Sequence, residues 1–104
     1  MEVSKSDWKL FRTRIAKWQE AYMEHLVKEY IDLLNESENA SDKFWKLEER
    51  IKKDKKNPGV LLELNKGTMI YDIVALINRT VIITADLEGF SDELKESVDF
   101  LLHS

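Results

Sequence analysis

The sequence predicts an all-α fold, a small helical bundle with a long N-terminal helix, formed as one domain over residues 1–104. The chain has 104 residues, of which 43% are hydrophobic and 35% are charged. This length is enough for one core and too short for two separate ones. Only three Gly and one Pro are present, and this scarcity of turn-forming residues disfavours a many-stranded sandwich or barrel.

The first helix carries the strongest periodic signal in the chain. Apolar residues recur every three or four positions, at Trp8, Phe11, Ile15, Trp18, Tyr22, Leu26, Tyr30 and Leu33. This spacing predicts one apolar stripe along an amphipathic helix. Ser4 or Ser6 can cap its start. Because no Gly or Pro precedes Pro58, we expect a continuous helix from about residue 6 to about residue 36, roughly 45 Å long at 1.5 Å per residue.

Cap and turn residues predict three further helices. Ser41 is the expected N-cap of a second helix, which ends at the Asn57-Pro58-Gly59 sequence. Thr68 is expected to open a third helix that is apolar around most of its circumference, so this helix should lie centrally. Ser91, followed by two acidic residues, predicts the start of a last, short helix.

Two short apolar segments have no assignable periodicity. Residues 60–64 and 81–83 are too short to distinguish a buried strand from a helical turn. The β-branched residues of the second segment favour extended structure. The fold class therefore includes, as an open alternative, a minor two-stranded β-ribbon beside the third helix.

Charge is unevenly distributed, although the formal net charge is only −4. Residues 43–56 contain seven basic and three acidic residues, whereas residues 86–99 contain one basic and six acidic residues. The basic run, with Trp45 close by for stacking on bases, is the alternative candidate for a nucleic-acid site. Its members are Arg50, Lys52, Lys53, Lys55 and Lys56. Against this, the whole chain is acidic and the last helix opens with carboxylates, which phosphates repel.

Several segments together resemble a family of small uncharacterised bacterial cytosolic proteins. They are WQEAYMEHLVKEYIDLL, SDKFWKLEERIKKDKKNPGV, MIYDIVALI and ITADLEGFSDELKESV. The resemblance covers residues 18–102 and implies a bacterial, cytosolic, single-domain protein. Some members of that family carry the label of multidrug transporters, and we regard that label as an error. No apolar run in this chain approaches the roughly 18 residues of a membrane span.

The sequence offers no signature of catalysis, metal binding or cofactor binding. The absence of Cys excludes thiolate nucleophiles and Cys-ligated metals, and no glycine-rich phosphate loop occurs. His25, with Glu29 one turn later, is the single credible base or metal ligand. We interpret the pair as a boundary histidine beside a surface acid, because a di-metal bundle would need Glu-x-x-His and position 22 is a tyrosine. We therefore predict a protein that is not an enzyme and holds no cofactor. The N-terminus lacks the apolar core of a signal peptide, which predicts a cytoplasmic location.

The aromatic content of the first helix suggests a protein interface. Seven of the ten aromatic residues lie in the first 45 positions. A helix of this length can extend beyond the core that the other residues build, and exposed aromatics at helical spacing are typical of interfaces. The predicted interface consists of Trp8, Phe11, Ile15, Trp18 and Tyr22, with another protein or a second copy of the chain as partner. The alternative is that shorter helices pack along the stripe and bury it completely.

Overall fold

The computed structural model describes residues 2–104, which form four α-helices and no β-strand. The helices are α1 (Lys5–Leu34), α2 (Ala40–Asp54), α3 (Met69–Asn78) and α4 (Asp92–Leu102). Single 3₁₀ turns at Lys66–Thr68 and Thr84–Leu87 precede α3 and α4. The all-α fold with a long N-terminal helix is confirmed.

The first helix is continuous over 30 residues, as its apolar period predicts. The Ser4 hydroxyl accepts a hydrogen bond from the Asp7 amide at 3.1 Å and caps the helix start. Asp7 is itself buried and reaches the start of α4, where its carboxylate accepts hydrogen bonds from the Ser91 amide at 2.9 Å and from the Ser91 hydroxyl at 2.5 Å. Ser91 in turn caps α4, as predicted, by accepting from the Leu94 amide.

The second helix runs antiparallel to the C-terminal half of α1. Its N-cap is Asn39, whose side chain accepts from the Asp42 amide at 2.9 Å, and not Ser41 as predicted. The side-chain oxygen of Asn39 accepts from a free N–H group at the helix start, as the Ser41 hydroxyl was expected to do. Asn and Ser have similar N-cap preferences, so the sequence alone does not distinguish the two positions. After α2, the chain returns to the middle of α1, where Gln19 donates to the Pro58 carbonyl at 3.0 Å.

The hydrophobic core lies between the N-terminal half of α1 and the segment from residue 69 onward. Its fully buried members are Phe11, Met69, Ile73, Leu76 and Val98. The central position predicted for α3 is confirmed, since four of its ten residues are buried. This core occupies one end of a molecule that measures 52 × 26 × 21 Å. The hairpin of α1 and α2 forms the other end.

The β-ribbon that the sequence left open is absent from residues 2–104. Residues 81–83 instead continue the C-terminal cap of α3. The Val81 amide donates to the Leu76 carbonyl at 2.9 Å, and the Thr80 amide donates to the Ile77 carbonyl at 3.0 Å. This is the Schellman arrangement, with Thr80 in the left-handed position at φ 57°. The cap uses the backbone groups that a ribbon would need, which is why the β-branched run does not pair.

Candidate functional site

The predicted interface at the start of α1 is covered by the protein itself. Phe11 is 0% and Ile15 is 4% exposed, and both belong to the core. The prediction that these two side chains form a docking surface is therefore wrong. The reason is the length of α2, whose 15 residues carry the chain back to the middle of α1. The rest of the chain therefore packs on the N-terminal half of the apolar stripe of α1.

The other three predicted interface residues are partly buried against their own chain. Trp8 stacks on Phe11 with ring centroids 6.1 Å apart, and Trp18 lies 6.4 Å from the Phe90 ring. The Tyr22 hydroxyl accepts a hydrogen bond from the Asn57 side chain at 3.0 Å. The structure therefore packs Trp8 and Trp18 against the core, whereas Tyr22 lies beside Asn57 at the wall of a polar cleft.

The contact between α1 and α2 is made largely by polar groups. Arg50 donates to Glu29 at 2.6 Å and to Asp54 at 3.0 Å, and the Tyr30 hydroxyl donates to Asp54 at 2.5 Å. None of the 15 residues of α2 is buried. The contact side of α2 therefore carries Arg50 and Asp54 together with the half-buried Leu47, whereas Phe44 and Ile51 lie off that side.

The apolar residues of α2 form an exposed row. Phe44 is 63% exposed and Ile51 is 37% exposed, with the half-buried Leu47 between them. These positions lie on one side of a helix, at spacings of three and four residues. A groove of about 480 Å³ runs along this row, and its edges are formed by Glu48, Lys52 and Lys55.

A second exposed row lies on the C-terminal half of α1. Val27 is 51%, Ile31 is 52% and Leu34 is 40% exposed. Each of these residues follows a position that is buried or packed toward α2, as Val27 follows the buried Leu26. One residue corresponds to a rotation of about 100° around the helix axis, so the row is turned about a quarter of a circle away from the contact with α2.

The two rows lie on the same side of the hairpin. In an antiparallel helix pair, the residues that directly follow the contact positions point to the same side of the pair in both helices. The residues that directly precede the contact positions point to the opposite side. The α2 row follows this rule, since Ile51 comes directly after the contact residue Arg50. We call the combined surface the hairpin face, and its six residues are Val27, Ile31, Leu34, Phe44, Leu47 and Ile51.

A polar cleft of about 660 Å³ occupies the opposite side of the hairpin. His25 and Glu29 line it, 2.8 Å apart, together with Lys53 from α2 and Arg79 from the end of α3. The same rule explains this position, because His25 precedes the buried Leu26 and Glu29 precedes Tyr30. The described residues contain no group of three or more His, Asp or Glu side chains that could hold a metal ion.

One side chain on the hairpin has a strongly shifted pKa. Partial burial of the phenol and its hydrogen bond to Asp54 raise the pKa of Tyr30 from 10.0 to about 12. The neutral phenol is favoured because its proton is the one donated to the carboxylate. Arg50 also lies over the Tyr30 ring, 5.6 Å from its centroid. This cluster joins the two helices.

The basic run is only partly available to a ligand. Arg50 is engaged by Glu29 and Asp54, as described above. Lys52, Lys53 and Lys56 line a second groove, of about 650 Å³, which also contains Glu48 and Glu49. Lys55 lies at the edge of the hairpin face. Arg50, Lys52, Lys53 and Lys56 thus share one groove on α2 with two carboxylates, and Lys55 lies apart from it.

The hairpin face was not predicted as an interface, although its residues are apolar and spaced at helical intervals. Val27, Ile31 and Leu34 form a second row on the first helix, beside the main stripe. The signal that distinguishes the two rows is the position of charged residues in α2. Arg50 and Asp54, four residues apart, mark the side that contacts α1, and this places Phe44 and Ile51 off that side.

No protein-family model, curated protein or solved structure matches the chain. Within residues 2–104, no helix combines the length and the apolar character needed to cross a membrane.

Proposed function

We propose that this chain is a non-enzymatic protein-interaction module whose contact surface is the hairpin face. The observation that carries the proposal is the exposure of five apolar side chains, with the half-buried Leu47 among them, on one side of two paired helices. Scattered apolar residues are ordinary on a protein surface, whereas a contiguous patch marks a contact site. The cytoplasmic location and bacterial origin expected from the sequence are part of the same proposal.

The energetics of α2 support an external partner. Isolated helices of about 12–15 residues are marginal in water, and most helical stability in proteins comes from packing of an apolar face. The 15-residue α2 buries no residue within its own chain. Its ion pair with α1, between Arg50 and Glu29, is partly exposed, and a pair of this kind contributes about 0–1 kcal/mol. A partner that covers Phe44 and Ile51 would supply the packing that the monomer lacks.

Site-specific photocrosslinking tests the proposal without knowledge of the partner. A p-benzoylphenylalanine residue in place of Phe44 is expected to form a protein adduct in cells that produce the full chain. The same residue in place of Thr13, which is exposed on the N-terminal half of α1, serves as the control.

The adduct at position 44 is expected to disappear when Ile51→Asp places a charge in the hairpin face. The control position is expected to give no adduct. An unlabelled position 44, or an adduct of equal yield at position 13, would contradict an interaction role for this surface.

Nucleic-acid binding is the second candidate, and one observation favours it. Lys52, Lys53 and Lys56 line the same groove on α2, and Trp45 is 63% exposed. Electrophoretic mobility of DNA and RNA at about 50 mM salt, where phosphate contacts are strongest, tests it. No binding under those conditions would eliminate this function, and binding that Lys52→Ala and Lys53→Ala weaken would support it.

A further inference from the structure

We propose that the polar cleft opposite the hairpin face binds a small phosphate monoester. The cleft lies where the middle of α1, the end of α2 and the end of α3 meet, and its volume is about 660 Å³. Three observations support this ligand. They are a surplus of unused hydrogen-bond donors, a local excess of positive charge, and an apolar wall beside the polar groups.

The carboxylates of the cleft are largely engaged within the chain. Glu29 uses both of its oxygens, one for Arg50 at 2.6 Å and the other for His25 at 2.8 Å. Asp54 accepts from the Tyr30 hydroxyl at 2.5 Å and from Nε of Arg50 at 3.0 Å, both through Oδ2. These two acids therefore hold Arg50 and the hairpin together, and only Oδ1 of Asp54 is left without a donor among residues 2–104.

Four donor groups along the cleft have no acceptor among residues 2–104. Lys53 and Arg79 form no ion pair and no side-chain hydrogen bond there. Nη1 of Arg50 is also unused, because this guanidinium donates through Nε and Nη2. The Tyr22 hydroxyl accepts from Asn57 at 3.0 Å, which leaves its own proton to donate. A phosphate group offers three strong acceptor oxygens, so it satisfies more of these donors than a carboxylate does.

The charged groups of the cleft carry a positive excess. Its lining includes three cationic side chains and two carboxylates, namely Arg50, Lys53 and Arg79 with Glu29 and Asp54. The whole chain, in contrast, has a formal net charge of −4. A cleft of the opposite sign to the rest of the protein raises the local concentration of anions.

The helix ends at the cleft do not use up these cations. The ends of α2 and α3 carry partial negative charge, which favours Lys53 and Arg79 at their positions. The terminal carbonyl groups are nevertheless satisfied by backbone amides. The Lys53 carbonyl accepts from the Lys56 amide at 3.1 Å, and the Leu76 carbonyl accepts from the Val81 amide at 2.9 Å. The side-chain donors of Lys53 and Arg79 therefore remain available to a ligand.

The rest of the cleft wall suits an organic group. Ala21, Leu26 and Val81 line it, and the side chains of Tyr22 and Val81 approach the same side of Gly59. The volume of about 660 Å³ lies within the range of about 300–1,000 Å³ for small-molecule sites. Such a volume is larger than a phosphate ion needs. The geometry therefore favours a monoester whose organic group covers the apolar wall.

Titrations of the full chain with inorganic phosphate and with phenyl phosphate test the proposal. Both are followed in ¹H–¹⁵N spectra at constant ionic strength. Each ligand is expected to give saturable shifts of the Thr80 and Val81 amide signals. Phenyl phosphate is expected to bind several-fold more tightly, because its ring removes apolar surface of the cleft from water. Sodium chloride at the same ionic strength is expected to give no saturable shift.

Substitutions identify the donors. Arg79→Gln and Lys53→Gln are each expected to weaken phenyl phosphate binding by about tenfold, through loss of a charge-assisted hydrogen bond. The matched control is Lys52→Gln, which removes the same charge from α2 at a position that lines another groove. It should leave the affinity nearly unchanged. Circular dichroism of each variant establishes that its helices are formed.

Several outcomes would overturn the proposal. They are the absence of saturable shifts, shifts that sodium chloride reproduces, and equal weakening by Arg79→Gln and Lys52→Gln. Equal affinities for phenyl phosphate and inorganic phosphate would overturn the monoester in favour of the free ion. The site is separate from the hairpin face, so Ile51→Asp is expected to leave phosphate affinity unchanged. Failure of this ligand site therefore does not affect the proposed interaction function.

Discussion

Thr80 occupies a backbone conformation that its side chain disfavours. Its φ of 57° lies in the left-handed region, where a Cβ atom costs roughly 1–2 kcal/mol and glycine is the usual residue. The position is nevertheless fixed, because the Thr80 and Val81 amides both cap carbonyl groups of α3. The strain belongs to the helix end and not to the hairpin face.

Replacing Thr80 with glycine should stabilise the protein. Thr80→Gly is expected to raise the free energy of unfolding by about 1 kcal/mol, because it removes the Cβ from the left-handed residue. Urea denaturation measures the change. Thr13→Gly, at an exposed position in the N-terminal half of α1, is the matched control and is expected to lower stability by about 0.3 kcal/mol, the difference in helix propensity between the two residues. A destabilised Thr80→Gly protein would contradict the proposed strain.

The ionisation of Tyr30 makes the stability of the folded protein depend on pH in the alkaline range. Its folded-state pKa of about 12 lies above the ordinary value of 10.0, so the folded state holds the phenolic proton more tightly than the unfolded state does. The corresponding stabilisation is complete below pH 10 and is lost as the pH rises from 10 to about 12.

The titration of Tyr30 is directly observable in the ultraviolet spectrum. Absorbance at about 295 nm is expected to show one phenol that ionises near pH 12, and Tyr30→Phe is expected to remove that component. The same substitution should flatten the loss of stability between pH 10 and 12. If the high-pH component persists in the variant, the hydrogen bond from Tyr30 to Asp54 is not its cause.

At the scale of the elements, Gly59 allows α1 to pack closely against both the segment that follows α2 and the end of α3. A Cβ built on Gly59 would lie 2.6 Å from Cδ2 of Tyr22 and 2.7 Å from Cγ2 of Val81. Both distances are well below van der Waals contact. The Asn57 side chain holds this turn by accepting from the Gly59 amide at 2.8 Å. The base of the hairpin is therefore closely packed, in contrast to its exposed face.

A methyl group at Gly59 should weaken this junction. Gly59→Ala is expected to lower the free energy of unfolding by about 1–3 kcal/mol, the usual cost of overpacking a filled site. Gly67→Ala is the control, because its Cβ would meet only the Asn65 side-chain oxygen at 3.1 Å. Thermal and urea denaturation of the two variants should differ clearly. Equal stabilities would show that the junction rearranges freely.

At the scale of the whole molecule, the chain is elongated because its core occupies one end. The Cα radius of gyration is 16.5 Å, whereas a compact domain of this length has about 13 Å. The hairpin accounts for the difference, since α2 and the C-terminal half of α1 extend beyond the core. The proposed contact surface therefore lies at the end of the molecule that is away from the core.

Small-angle X-ray scattering tests this shape in solution. The Ile51→Asp variant, as a monomer, is expected to show a radius of gyration near 16.5 Å and a clearly anisotropic distance distribution. Comparison with the unmodified protein at the same concentration separates shape from association. A value near that of a compact domain would mean that the hairpin folds back onto the core.

The helices were largely predictable from the sequence, because their causes are local. The 3–4 spacing from Trp8 to Leu33 depends only on the helical repeat, and Ser4 and Ser91 cap the helix ends nearest to them. The N-cap of α2 was wrong by two residues, since Asn39 and Ser41 have similar cap preferences. The ribbon was not formed because the cap of α3 uses the backbone groups of residue 81.

By itself, the sequence determined an all-α fold, the unbroken first helix and the absence of a recognisable catalytic motif, since each depends on residue type and short-range spacing. Only the tertiary structure decided which part of the apolar stripe is covered. That outcome depends on the length of α2 and on the Asn57–Tyr22 contact, which return the chain to the middle of α1. The apolar face therefore remains exposed at the hairpin end and not, as the stripe alone suggested, at Trp8 to Tyr22.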